Sequence, residues 1–119
     1  MELKSFITDV YQSIDRSDAS AFARFITPTG SFRFANNPAV TGTKAIEEYV
    51  AGFFQSLEGI EHSNLESWKS GDAIFVNGIV KYTRHNGSTL EVPFSCTWKM
   101  QGRLIDQYLI YIDSSELYQ

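Results

Sequence analysis

The fold of this chain is decided by residues 73–100, AIFVNGIVKYTRHNGSTLEVPFSCTWKM. The pair Asn86-Gly87 stands near the centre of this stretch, between two runs that are rich in β-branched and aromatic residues. Asn-Gly in this setting is typical of a β-hairpin, because a tight turn needs positive φ angles that both residues tolerate. The stretch therefore predicts two long antiparallel strands joined at Asn86-Gly87.

Two further turns extend this hairpin into a four-stranded sheet between residues 60 and 113. Ser70-Gly71-Asp72 precedes the hairpin and Gln101-Gly102-Arg103 follows it. Both contain the glycine that turns favour, since glycine adopts positive φ without steric cost. The outer strands of the predicted sheet span residues 60–69 and 105–113.

The residues before this sheet show a helical pattern. Apolar side chains recur at i, i+3, i+4 and i+7 in residues 2–16 and again in residues 43–57, which predicts two amphipathic helices. A short helix at residues 19–25 and a short strand at residues 31–34 are predicted between them. Helices followed by an antiparallel meander predict a single α+β domain over residues 1–119, with the helices on one face of a curled sheet.

Composition and charge exclude several classes of function. The chain has a net charge of −4, which argues against nucleic-acid binding because phosphates require clustered Lys and Arg. Cys96 is the only cysteine, so an internal disulfide and a multi-cysteine metal site are excluded. No Gly-rich phosphate loop or metal-ligand cluster is present in the sequence, and no cofactor is predicted. The chain also lacks an apolar run of about 18 residues and a basic leader, so no membrane segment and a cytoplasmic setting are expected.

The lengths of the turns predict which side chains share a face of the sheet. A two-residue turn at Asn86-Gly87 places Cys96 opposite Asn77, and a three-residue turn at residues 101–103 places Tyr108 opposite Cys96. The face predicted to line a pocket comprises His62, Asn64, Glu66, Trp68, Phe75, Asn77, Ile79, Lys81, Phe94, Cys96, Trp98, Tyr108, Ile110 and Ile112. The other predicted face comprises Ile74, Val76, Gly78, Val80, Tyr82, Ser95, Thr97, Leu109 and Tyr111. Since that second face is also apolar, the sequence predicts a homodimer through it.

Three stretches resemble the SnoaL-like branch of the nuclear transport factor 2-like superfamily: residues 42–46 (GTKAI), Asn86-Gly87 before Pro93-Phe94, and residues 108–113 (YLIYID). The resemblance covers essentially the whole chain. It implies a cystatin-like α+β fold, in which a cone-shaped curled sheet and three helices enclose a deep pocket. The superfamily includes ketosteroid isomerases, polyketide cyclases, limonene epoxide hydrolases, dehydratases and non-enzymatic binding domains, and many members are dimers through the outer sheet face.

The catalytic residues of these relatives are missing at the matching positions. Ketosteroid isomerases use a Tyr on helix one, an Asp near the end of the first strand and a protonated Asp after the central hairpin. These positions fall on Val10, near Phe34 and on Cys96, while Tyr11 is expected to point elsewhere. Asp106, the candidate acid of a polyketide cyclase, is predicted at the rim, and the residue set of the epoxide hydrolases has no counterpart.

His62 is the one histidine predicted on the pocket face. It is a natural general base because its pKa is ordinarily near neutrality, and Asn64 or Asn77 could orient the ring while Glu66 serves as a second acid. The alternative interpretation is a half-exposed, hydrogen-bonded histidine near the start of a strand. Cys96 is interpreted as a small buried hydrophobe.

Two functions follow from this sequence. The first is a binding domain that encloses a small apolar or aromatic molecule without chemistry, which the missing carboxylates favour. The alternative is an isomerase, cyclase or lyase that abstracts a proton next to a carbonyl with His62 as base. Tyr49, Trp98 and Tyr108 are expected to form an aromatic wall, with plain core packing as the alternative. The predicted ligand-binding residues are Phe34, Tyr49, Phe53, Asn64, Asn77, Ile79, Cys96, Trp98, Tyr108 and Ile110.

Overall fold

The computed structural model describes residues 2–118, and within that range it contains three helices and six strands. The elements in chain order are α1 (Leu3–Asp15), α2 (Ala19–Ala23), β1 (Ile26–Phe34), β2 (Val40–Thr41), α3 (Thr43–Gln55), β3 (Gly59–Ser70), β4 (Ala73–Thr83), β5 (Thr89–Gln101) and β6 (Leu104–Ile112). The strands form one curled, unclosed sheet in the order β2-β1-β6-β5-β4-β3, with the helices packed against it. The predicted α+β fold class is confirmed.

The two long helices form where the apolar periodicity predicts them. The Glu2 carboxylate caps α1 by accepting hydrogen bonds from the backbone N–H groups of Lys4 and Ser5, at 3.1 and 2.9 Å. Helix α1 buries Ile7, Val10 and Tyr11, and α3 buries Ile46, Val50 and Phe54. These two apolar stripes cover the concave face of the sheet, which creates the interior of a cone.

Strand β1 is longer than predicted and makes the sheet mixed. It begins at Ile26 and runs through Pro28 and Gly30, whereas the sequence predicted a strand only from residue 31. Gly30 is required here because a Cβ atom at this position would lie 2.6 Å from Cγ2 of Ile26. Strand β1 pairs in parallel with β6, with Phe32 opposite Tyr108, whereas all other pairs of strands are antiparallel.

The predicted register of the central hairpin is wrong by one residue. The backbone N–H of Arg84 donates to the carbonyl of Ser88 at 2.8 Å, so the loop contains His85, Asn86 and Gly87. In this loop Gly87 adopts a φ of 87°, whereas Asn86 keeps a negative φ, because a three-residue hairpin places a single residue in the left-handed region. Cys96 consequently pairs with Val76.

This register exchanges the two predicted faces of β4. Ile74, Val76 and Val80 are buried in the cone, whereas Phe75 and Asn77 are exposed on the outer face. Ile79 and Lys81 alternate with these buried residues and also lie on the outer face. The apolar side chains that were predicted to meet a partner subunit are therefore largely the core.

Because of a bulge in β3, the residues of that strand that were predicted to face the pocket lie on two different faces of the sheet. His62 pairs with Val80 on the inner face, but the register shifts between Ser63 and Glu66, where Asn64 has a φ of 54°. The extra residue reverses the alternation of side chains. Glu66 and Trp68 therefore lie on the outer face, which corrects their predicted position.

The residues of β5 and β6 that face the pocket are predicted correctly. Each residue of β5, however, pairs with a residue of β6 two positions further along than predicted. Trp98 lies opposite Tyr108 and Cys96 opposite Ile110, all on the inner face. A displacement of two residues preserves the alternation, so the correct side chains point inward. Of the helices in residues 2–118, none has both the length and the apolar character of a membrane-spanning segment.

Candidate functional site

A cavity of about 50 Å³ lies between the helices and the concave face of the sheet. Its wall is almost entirely apolar or aromatic. The lining residues are Tyr11, Ile14, Phe22, Phe32, Phe34, Tyr49, Val50, Phe53, Phe54, Ile60, His62, Val80, Tyr82, Phe94, Cys96, Tyr108, Ile110 and Ile112. Pockets for drug-sized ligands are usually about 300–1,000 Å³. The present cavity therefore has room for water, and a larger occupant requires side chains at the opening to move.

The opening is marked by the lining residues that are only half-buried. Phe34 at the end of β1 and Phe53 on α3 contact each other there, with ring centroids 5.2 Å apart. Tyr49 lies on the same side, where its hydroxyl accepts a hydrogen bond from the side-chain amide of Asn37 at 2.8 Å. These three aromatic side chains form the half-buried part of the wall on this side of the cone.

The most polar feature of the wall is a pair formed by His62 and Asp15. One carboxylate oxygen of Asp15 lies 2.6 Å from Nδ1 of His62, and the other accepts the backbone N–H of His62 at 3.1 Å. The His62 side chain is 10% exposed and that of Asp15 is 30% exposed. Asp15 thus connects the end of α1 to the start of β3 and fixes the orientation of the imidazole.

The second ring nitrogen of His62 remains available. Nε2 of His62 has no hydrogen-bond partner among residues 2–118. This nitrogen is nevertheless partly accessible to solvent. The ring lies against Tyr11 and Phe94, with centroids at 4.7 and 5.2 Å. When the carboxylate fixes the proton on Nδ1, the lone pair resides on Nε2, where it can accept a proton.

Two tyrosines and the cysteine form a buried polar cluster at the floor of the cavity. The Tyr11 hydroxyl donates to Sγ of Cys96 at 3.4 Å. Burial raises the pKa of Tyr11 and that of Tyr108 well above the ordinary value, so both hydroxyls stay neutral donors. Burial also raises the pKa of Cys96 to about 12, although hydrogen bonds from Tyr11 and Tyr108 oppose the effect. The thiol is therefore protonated at neutral pH and is not a nucleophile.

Trp98 lies beside this cluster and is fully buried. Its indole N–H has no hydrogen-bond partner within the described part of the chain. The ring itself packs against Phe6, Tyr11 and Tyr108. Trp98 supports the floor of the cavity without lining it.

The predicted site residues divide into two groups in the structure, apart from Trp98, which was predicted to bind the ligand but lines neither the cavity nor the outer groove. Phe34, Tyr49, Phe53, His62, Cys96, Tyr108 and Ile110 line the cavity. Asn64, Asn77 and Ile79 do not reach it, since they line a shallow groove on the outer face. The cause is the one-residue error in the hairpin register together with the bulge in β3. In that groove the Ser95 hydroxyl donates to the side-chain oxygen of Asn77 at 2.7 Å.

Two residues of the site were missed in the sequence. Asp15 was not predicted as a site residue, and only its position in three dimensions reveals its contact with the imidazole of His62. Tyr11 was expected to point away from the pocket, but it is 3% exposed and donates to Cys96. Its place in the apolar stripe of α1 was the signal that could have corrected this. In the part of the chain that the structure describes, no cluster of side chains could hold a metal ion.

The fold is shared with many solved structures at low sequence identity. A provisionally assigned polyketide cyclase from Xanthomonas campestris pv. campestris has a TM-score of 0.87 and 15% identity, over 96% of this chain and 92% of that one. TerC, co-crystallised with polyporic acid, has a TM-score of 0.82 and 18% identity, over 97% and 94% of the two chains. A hypothetical protein from Catenulispora acidiphila with a ketosteroid isomerase-like fold, in complex with trimethylamine, has a TM-score of 0.82 and 15% identity, over 89% and 83%.

These likenesses show the fold, while the family is shown by sequence. Comparison with curated proteins gives no match. The sequence model of the SnoaL-like domain matches residues 7–108, which extend from α1 to the middle of β6. This range includes Tyr11, His62, Cys96 and Tyr108, and the resemblance predicted from the sequence is confirmed. The chain therefore belongs to the SnoaL-like domain family.

Proposed function

We propose that this domain binds a small, largely apolar molecule inside the cone. The observation that supports this most directly is an apolar cavity whose lining includes a few residues with polar groups, namely His62 and four tyrosines. Ligand sites in proteins typically combine apolar walls with a small number of such groups, which orient the ligand. The residues proposed to contact the ligand are Phe34, Tyr49, Phe53, Cys96, Tyr108 and Ile110.

The size of the cavity limits the occupant. At about 50 Å³ the closed cavity is smaller than a single-ring molecule, so binding requires Phe34 and Phe53 to move apart. Two structural neighbours were crystallised with small organic molecules, trimethylamine and polyporic acid, which supports small-molecule binding by this domain. We propose a neutral ring compound with one oxygen acceptor, to which the neutral Tyr11 hydroxyl would donate in place of its hydrogen bond to Cys96.

Cyclohexanone is a suitable probe because it has one apolar ring and one acceptor. Titration is expected to shift the backbone amide resonances of Cys96 and Tyr108 in two-dimensional NMR spectra, with saturation in the millimolar range. Ile110→Phe should abolish these shifts by filling the cavity, since Ile110 lines it. The matched control is Leu109→Phe, because the neighbouring side chain points to the opposite face. Shifts confined to the outer groove, or equal effects of both variants, would contradict the proposal.

We also propose that two copies of the chain associate through the outer face of the sheet. Trp68, Phe75 and Tyr111 are large apolar residues exposed there, with Trp68 50% and Tyr111 58% accessible. Exposed apolar patches on a folded domain commonly mark an interface. The cytoplasmic setting proposed for this dimer is consistent with the free thiol of Cys96.

Sedimentation equilibrium tests the dimer. At micromolar concentration the expected mass is twice the 13.5 kDa of one chain. Trp68→Glu should shift the protein toward the monomer, because a charge would be desolvated in the interface. Lys69→Glu, at the adjacent position on the other face of β3, is the control and should remain dimeric. A single 13.5 kDa species for the unmodified protein would rule out this interface.

A further inference from the structure

We propose that residues 113–118, here called the C-terminal strap, close one end of the cone and must move away before a ligand enters the cavity. Arg84, which directly follows β4, is the residue that keeps the strap closed. The inference rests on the proposed function for the identity of the ligand. The closure itself is a property of the fold and is tested without any ligand.

The strap runs from the sheet to α3 across the end of the cone. It begins directly after Ile112, the last residue of β6, which lines the cavity and is half-buried. The hydroxyl of Tyr118 lies 2.8 Å from that of Ser56, the residue that follows α3. Between these points the strap reaches the end of β4, which is two strands from β6 and therefore roughly 10 Å away. The strap thus bridges the gap between the sheet and α3.

The residues that border this gap also line the cavity. Phe53 on α3 and Tyr82 on β4 are both lining residues, and their ring centroids are 6.0 Å apart. The Ser56 hydroxyl donates to the carbonyl of Phe53 at 2.6 Å, so the Tyr118 hydroxyl is the donor in its bond to Ser56. Leu117 is 1% exposed and belongs to the same apolar core as Tyr82. The strap therefore completes the wall of the cone beside Phe53, at the opening.

Arg84 holds the strap by its backbone. Nε of Arg84 donates to the carbonyl of Leu117 at 2.9 Å, and Nη2 donates to the carbonyl of Glu116 at 2.8 Å. Nη1 donates to the Ser88 hydroxyl at 3.1 Å, which orients the guanidinium within the hairpin. The planar group presents several donors in a fixed geometry, so it can bind two successive carbonyls at once. Arg84 consequently connects the strap to the sheet.

The strap is the part of the wall that opens at the lowest cost. Leu117 is its only buried side chain, and its N–H donates to the carbonyl of Ser114 at 3.0 Å, so the turn keeps this bond when it moves. Helix α3, in contrast, buries Ile46, Val50 and Phe54. Segments with few buried apolar contacts open locally at a free energy below that of global unfolding. Opening of the strap therefore requires release of Leu117 and of the bonds to Arg84.

The reactivity of Cys96 measures the opening without a ligand. Cys96 lines the cavity and is the only cysteine of the chain, so methyl methanethiosulfonate, a small thiol reagent, modifies a single site. Arg84→Gln removes the guanidinium, and modification followed by mass spectrometry is expected to be at least about tenfold faster, since hydrogen bonds to charged groups are lost. Arg103→Gln is the control, because it removes the same charge from an exposed residue at the opposite end of β5 and should react at the unmodified rate.

Urea separates local opening from global unfolding. Opening of the strap exposes little surface, so the rate of modification in Arg84→Gln should be nearly independent of urea below the unfolding transition. A rate that rises steeply from the lowest urea concentrations would show that the reagent enters through global unfolding. That result would overturn the proposal, as would equal rates in the unmodified protein and Arg84→Gln, or equal acceleration by both substitutions.

Cyclohexanone then tests whether a ligand uses the same route. Arg84→Gln is expected to raise its association and dissociation rates in NMR line shapes by the same factor, with an unchanged dissociation constant, because the strap controls entry without holding the ligand. If the ketone shifts the amides of Cys96 and Tyr108 but both rates are unchanged, the proposal is overturned and the binding function stands. If it shifts neither amide while Arg84→Gln still accelerates modification of Cys96, the strap closes the cavity as proposed and the binding function is overturned.

Discussion

Replacing Trp98 with alanine is expected to lower the free energy of unfolding by about 3–5 kcal/mol, the range found for large-to-small changes of buried aromatic residues. Trp98 is 0% exposed and contacts three aromatic rings. Its centroid lies 5.8 Å from that of Phe6 and from that of Tyr11, and 5.3 Å from that of Tyr108. Alanine would remove all of these contacts and leave a void beneath the cavity floor. Urea denaturation followed by circular dichroism, at matched protein concentration, measures the change.

Trp98→Phe provides the matched control for this result. It keeps an aromatic ring in place and removes an indole N–H that has no hydrogen-bond partner in the described residues. Because no hydrogen bond is lost, the expected cost is only about 1–2 kcal/mol, from the smaller ring. A loss below about 1 kcal/mol for Trp98→Ala would contradict the burial of this side chain, since exposed sites show losses of that size.

Val76→Asp is expected to be the most destabilising single change on β4, with a loss of about 4 kcal/mol or more. Val76 is 0% exposed and pairs with Cys96, in the interior of the cone. A carboxylate at this position would have no cationic partner and no water. Since small domains are stable by only about 5–15 kcal/mol, the variant is expected to be largely unfolded at 37 °C.

The adjacent substitution Asn77→Asp provides the comparison. Asn77 is exposed on the outer face, and an aspartate there could still accept the hydrogen bond from Ser95. The expected change in stability is within about 0.5 kcal/mol, as for most surface substitutions. The hairpin register predicted from the sequence would reverse the order of the two variants, because it places Asn77 inside and Val76 outside. Thermal unfolding of both proteins therefore decides the register.

The fold could be predicted from the sequence where local physics is sufficient. The apolar stripes that include Ile7, Val10, Ile46 and Val50 identify α1 and α3, because a helix must bury such a stripe. Asn86-Gly87 identifies the hairpin but not the length of its loop. Two-residue and three-residue loops fit the same sequence, and the choice between them moves every side chain of β4 to the other face.

The candidate site was less predictable because it depends on contacts between distant segments. His62 was assigned to the inner face, but the contact with Asp15 spans 47 positions and leaves no local pattern. The bulge at Asn64 also has no Gly or Pro signal, since a non-glycine residue adopts the left-handed conformation there. Parallel pairing of β1 with β6 is equally non-local. Such features are set by the packing of the whole domain and require coordinates.

The central claim, that a small apolar molecule enters the cone and reaches His62, is tested most directly by intermolecular nuclear Overhauser effects from bound cyclohexanone. Contacts are expected from the ring protons of the ketone to the imidazole of His62 and to the methyl groups of Ile110, both of which line the cavity. Contacts confined to Tyr111 and Ile79, which line the outer groove, would contradict it.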